Sequence, residues 1–238
     1  MKLRFPFLAS AFRGDQLNAT VILLLSPLLM VTWWYFGTRE FYFKTLYPHT
    51  ILNLNPDASA ALYWFAMTFF LLGLVPAMVV KLVFRQRLAD YGVQFGVPVR
   101  TVRSFLIWGP VFVLCGYIAA QMPAVRTYYP TDPGAGASPG CFARHALALA
   151  LFYLGWEFHF RGFMQFGLRR AMGEANALLV VVLVSCLLHV GRPAVETYLS
   201  LLGGLLWGLL AFHTRSILSG TLQHYLLALS LDWFLCCR

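Results

Sequence analysis

Apolar runs alternate with short polar connectors along nearly the whole chain. They cover about Ala19 to Phe36, Ser59 to Val83, Ser104 to Gln121, Ala143 to Ala171, Ala177 to Val190, Glu196 to Phe212 and Ser216 to Phe234. Most come close to or exceed the ~20 apolar residues that carry a helix across a bilayer. The pattern predicts an all-α, polytopic bundle of about seven spans, forming one integral membrane domain over residues 1–238. Trp33, Trp34 and Tyr35 suit a membrane interface at the end of the first run. The loop from Pro123 to Phe142 holds Pro130, Pro133 and Pro139 with Gly134, Gly136 and Gly140, so regular structure is not expected there. Gly191 and Pro193 end the short fifth run, and Gly204 and Gly208 give the sixth a small-residue face for close packing.

Composition sharpens this picture. The chain is 60% hydrophobic and only 11% charged, against about 25% charged in soluble domains. The formal charge of +9 does not indicate nucleic acid as a partner. Lys2, Arg4, Lys81, Arg85, Arg87, Arg100, Arg103, Arg169 and Arg170 fall where the positive-inside rule places cytoplasmic segments. With the N-terminus inside, the region from Pro193 to Glu196 lies near the outer face. The first run lacks a small-residue cleavage site, which favours a span over a removable signal peptide. The five cysteines show no metal-ligand spacing. Cys236 and Cys237 read as terminal packing residues.

The chemistry centres on Gly155 to Arg170. Glu157 and Arg161 are four residues apart and share a helix face. Charges at membrane depth are costly, so this pair should face the protein interior, as a functional site or as a structural clip. His189, His224 and Glu196 are the other polar groups in or beside the spans. A carboxylate, an arginine and two histidines from neighbouring helices have the parts needed to split an amide. A carboxylate takes a proton from water, one histidine orients the water, and the other donates to the developing oxyanion. Arg161 would hold Glu157 by a charge-assisted bond. Glu157, His189 and His224 also number enough for a metal, but the spacing is not that of zinc proteases, so no metal and no cofactor is expected. His159 points to another face, and His145 and His213 lie near span ends, where an interfacial role is expected.

These residues carry a resemblance. Trp156-Glu157-Phe158-His159-Phe160-Arg161-Gly162 resembles the Glu-Glu-x-x-x-Arg motif of the CPBP (CAAX protease, Abi) family of intramembrane glutamic endopeptidases. Ser185 to His189 resembles its Phe-x-x-x-His motif, and His224 to Ala228 its His-x-x-x-Asn motif. Arg215-Ser216-Ile217-Leu218 and Asp90-Tyr91-Gly92 also look familial. The resemblance covers about Leu88 to the C-terminus. It implies a protease-like core over residues 88–238 behind N-terminal spans in 1–87. It also implies a membrane-anchored protein or peptide substrate met in the lipid bilayer.

Three departures shape the expectation. Trp156 stands where the family's usual general base does, so Glu157 matches the second Glu. Ser185 replaces the Phe of the second motif. Ala228 replaces the Asn that helps bind the oxyanion. One reading is an inactive relative that binds or escorts membrane segments. In the other, the base is Glu157 or has moved to Glu196. The string from His189 to Glu196 resembles a segment of a bacterial subgroup with Trp-Glu in motif one, the myxosortase-like proteases, thought to trim C-terminal sorting tails. That likeness implies a multi-pass protein of a bacterial inner membrane. Asp232 then stands in for the missing Asn as a partner of His224, and Arg192 binds a substrate carboxylate. The plainer alternatives are that Glu196 only caps its helix and that Arg192 is an exposed loop charge. A transporter with a buried proton relay is a third class, and no internal repeat supports it.

Overall fold

The computed structural model describes residues 10–49 and 55–236; Lys2, Arg4 and Cys237 lie outside the described residues. Six long helices carry the fold: α1 (Gly14–Phe36), α2 (Pro56–Val83), α3 (Pro98–Ala119), α4 (Pro139–Leu187), α5 (Ala194–Thr214) and α6 (Leu218–Cys236). The first five are long and apolar enough to cross a membrane. α4 has 49 residues, and Gly173 breaks it with φ 81° and ψ 161°, a conformation that glycine adopts without steric cost. Seven helical rods result among the described residues, as the hydrophobic pattern predicts. Of the six long helices, α6 alone is not among those five. It carries Ser219, Gln223, His224 and Asp232, which turn toward the protein and lower its hydropathy.

Local sequence explains the helix starts. Asn55 Oδ1 accepts from the Asp57 and Ala58 amides ahead of α2, at 2.9 and 3.4 Å, and Ser138 Oγ accepts from the Cys141 amide ahead of α4 at 3.1 Å. Pro56, Pro98 and Pro139 each occupy the first turn, where a missing N–H costs nothing. The loop from Pro123 to Phe142 is more ordered than its composition suggests. It forms a short helix (Pro123–Arg126) and a 3-10 turn (Pro133–Ala137), and α4 already starts at Pro139.

Close packing sets the depth of the site. A Cβ on Gly155 would lie 2.7 Å from the Phe69 Cα and the Thr68 carbonyl oxygen, so glycine lets α4 touch the backbone of α2 just before Glu157. A Cβ on Gly208 would run into the side chains of Leu178 and Gln165, and Gly204 lies against the Val182 side chain; this is the small-residue face expected of α5. Gly155→Val is therefore expected to cost about 1–3 kcal/mol through overpacking. A thermal melt in detergent should show a lower midpoint, and an unchanged midpoint would mean the two helices can separate freely.

The two ends of the bundle differ in charge. Arg85, Arg87, Arg100, Arg169, Arg170 and Arg215 gather at one end, where the Gly92 carbonyl accepts from the Ile217 amide and Gln94 donates to the Arg215 carbonyl. At the other end Arg39 is paired with Asp57 at 2.9 Å, and Arg192 with Glu196 at 3.2 Å. By the positive-inside rule the first end is the one expected on the cytoplasmic side, and the opposite end is called the outer one below.

Candidate active site

Glu157 is fully buried and Arg161 nearly so, at 0% and 2% exposure. Arg161 donates to Glu157 Oε1 at 3.1 Å, and His224 Nδ1 donates to the same oxygen at 2.7 Å. Glu157 ends the regular part of α4, and Arg161 sits in a nine-residue π-helical stretch, Phe158–Phe166. Such widened turns occur often at functional sites. The His224 ring is clamped by Trp207, stacked at 3.9 Å, and by Tyr153 at 4.5 Å. Its Nδ1–H is committed to Glu157, so Nε2 is the atom left for chemistry.

His189 is oriented differently. Its Nδ1–H donates to the Ser185 carbonyl at 2.7 Å, within one helical turn. This bond again leaves Nε2 free, and the side chain at position 185 plays no part in it. Trp156 stands edge-on to the His189 ring at 5.8 Å and packs against Trp33, Phe152 and Phe160. It forms an apolar wall beside the imidazole.

His189, Glu196, His224 and Asp232 all line one cavity of about 50 Å³, together with Tyr129, Tyr153, Trp156, Arg192 and Ala228. A water needs roughly 10–15 Å³ of such space, so the cavity holds more than one. Glu157 lies behind His224 and is not part of the lining. A larger groove of about 620 Å³ adjoins the cavity at the outer end; Trp64, Thr131 and Arg192 line both.

Glu196 lies in the first turn of α5, where an acid suits the helix N-terminus, and it also has partners outside that helix. Its carboxylate accepts from the Tyr129 hydroxyl at 2.9 and 3.1 Å and from Arg192 at 3.2 Å. Arg192 also donates to the Tyr129 hydroxyl, and its guanidinium lies over the Trp64 and Tyr128 rings. Arg192 is thus not an exposed loop charge: it pairs with Glu196 and lines both the cavity and the groove. Burial above all, with the Glu196 carboxylate beside it and against the pull of Arg192, pushes the Tyr129 hydroxyl well above its ordinary pKa. Tyr129 therefore stays a neutral donor.

Asp232 and His145 need correction. Asp232 lines the cavity but does not partner His224. His145 Nε2 lies 2.8 Å from Asp232 Oδ2. His145 is not interfacial: the two side chains are 1% and 3% exposed. His159 is fully buried against Phe160 and Phe163, while His213 is exposed. Sequence reasoning missed Tyr129 and Tyr153. Tyr153 carried a readable signal, because it precedes Glu157 by one helical turn on the same face. Tyr129 lay in a loop of prolines and glycines that showed no periodicity.

Among the described residues, no three His, Cys, Asp or Glu side chains are grouped so as to hold a metal ion. Residues 140–230 match the family model described as type II CAAX prenyl endopeptidase Rce1-like. That match supports the CAAX-protease resemblance. It covers well under half of the chain and contains Glu157, Arg161, His189, Arg192, Glu196 and His224; Tyr129 and Asp232 fall outside it. No curated protein and no solved structure matches the chain.

Proposed function

We propose that this protein is an intramembrane endopeptidase that hydrolyses a peptide bond of a membrane-anchored or sorting-tail substrate near the outer membrane boundary, in a bacterial inner membrane. One observation carries the reading. Glu196, His189 and His224 line one small cavity, whereas Glu157, bonded through Oε1 to Arg161 and His224, lies outside that lining. The family match supports a peptidase over a passive binder of membrane segments.

Glu196 is the base that takes a proton from the attacking water. His189 Nε2 accepts the water's other hydrogen and so aims its lone pair at the scissile carbonyl. To donate from Nε2 to the developing oxyanion while Nδ1–H stays on Glu157, His224 must carry a proton on both nitrogens at that step. Glu157 stabilises that charged ring through Nδ1–H, and Arg161 keeps Glu157 in place. The Glu157–Arg161–His224 group then carries one net positive charge aimed at the place where negative charge develops, in surroundings that exclude bulk water. Tyr129 and Arg192 hold the base.

Purified protein in proteoliposomes with a single-span peptide tests this reading. Two fragments by mass spectrometry are expected, and capture of the intact peptide would favour a binder. Tyr129→Phe removes a hydrogen bond to a charged group, worth about 1.5–3 kcal/mol. If part of that loss reaches the barrier, initial rates should fall about tenfold. An unchanged rate would show that Arg192 alone holds Glu196.

A further inference from the structure

The two helices that carry Glu157 and His224 also carry a second acid–histidine pair, in which the roles of the helices are exchanged. In the first pair α4 supplies the acid and α6 the histidine. In the second, α4 supplies His145 and α6 supplies Asp232, 2.8 Å apart and almost fully buried. His224, Ala228 and Asp232 recur every four residues along one face of α6, and all three line the site cavity. Asp232 therefore stands above His224 on the outer side of the same chamber.

Each member of the pair keeps one unpartnered atom among the described residues: Oδ1 of Asp232 and Nδ1 of His145. A buried polar atom without a partner is costly, and its retention calls for an explanation. Asp232 lines the site cavity, and His145 does not. His145 lines a different cavity of about 50 Å³ with Asn55, Asp132 and Arg144, and Asp232 does not line that one. Asn55 and Arg144 are exposed, so this second cavity reaches the outer surface. Phe65 lines both cavities, and beside it the hydrogen-bonded pair joins a residue of one cavity to a residue of the other.

Resting on the peptidase reading, we propose that Asp232 and His145 form a proton relay from the outer surface into the site, with Asp232 as the general acid that protonates the leaving amine. The pair holds one proton between a carboxylate and an imidazole, so it is neutral overall and tolerates burial. As the C–N bond breaks, its electron pair stays on nitrogen, which takes the proton from Asp232 across the site cavity. His145 passes its proton to Asp232 and takes another at Nδ1 from water in the second cavity. The proton that Glu196 took from the attacking water leaves with the products. The other stays on the new carboxyl group until it ionises in water. Asp232 is the catalytic residue here, and His145 acts through it.

The test depends on the leaving group. An amine leaves only when protonated, whereas a nitrophenolate leaves without a proton. Asp232→Asn keeps the size of the side chain but cannot relay a proton. In proteoliposomes it should cleave the peptide at least about a hundredfold more slowly, the low end of a general acid's contribution. A nitrophenyl ester of the same acyl segment should be cleaved within about threefold of the unsubstituted rate. His145→Gln should show the same split, and the double variant should be no slower than either single one. Equal losses on peptide and ester would reduce the pair to a structural clip and overturn the relay. So would full peptide cleavage by Asp232→Asn. If the unsubstituted protein cleaves neither substrate, the peptidase reading falls and the relay with it.

Discussion

His224→Ala is expected to abolish detectable cleavage while the protein still inserts and purifies. The ring both hydrogen-bonds the buried Glu157 carboxylate and lines the cavity. Removing one oxyanion donor in a hydrolase costs about 10²–10³ in rate. The loss here should be at the upper end, because Glu157 keeps only its bond to Arg161 among the described residues and the oxyanion loses the proposed Nε2 donor. Packing sets the control. Alanine also removes the face that Trp207 and Tyr153 clamp, so His224→Gln, which keeps most of the volume, should lose cleavage as well. Initial rates for both variants, with the helical signal by circular dichroism as a check on folding, decide the matter. Near-normal cleavage by either would remove His224 from the chemistry.

The second large effect separates two carboxylates. Glu196→Gln keeps the shape of the side chain and can still accept from Tyr129, but it cannot take a proton from water. A general base is worth about 10²–10⁴ in rate, so this variant should fall by at least a hundredfold with little change in KM. Glu157→Gln should fall less, because that residue acts through His224 and still offers an oxygen to it. The ratio of the two kcat losses is the informative quantity. If Glu157→Gln abolishes cleavage and Glu196→Gln leaves it near normal, the base is Glu157, and the Tyr129–Arg192–Glu196 cluster only ties the loop to α5.

Much of this was legible in the chain. The hydrophobic pattern carried the helices, because lipid forces each span to be both long and apolar, and Gly173 falls in the polar gap between two of the runs. Glu157 and Arg161 paired as their spacing required, since neither charge survives alone at that depth. Glu196 was readable as a candidate from its place after a helix break, but its surroundings were not. Tyr129 reaches it across 67 residues of chain, and no local periodicity encodes such a contact. Asp232 shows the limit of face arguments. Helical spacing placed it on the same side as His224, and it does line the same cavity. Spacing along one helix carries no information about the facing helix, so His145 was left at the interface when it is the actual partner. Trp156 is intermediate: a departure from a motif marks a position, and only packing against Trp33, Phe152 and Phe160 shows that it became a wall.

The account stands or falls on hydrolysis by an activated water in a chamber that opens outward. The most direct measurement is mass spectrometry of the products of proteoliposome cleavage run in ¹⁸O-labelled water with a single-span peptide. The account predicts one cut near the outer boundary of the span, with the label in the new carboxyl group, and no labelled product from Glu196→Gln. A cut on the arginine-rich side, a product without label, or undiminished labelling by Glu196→Gln would contradict it.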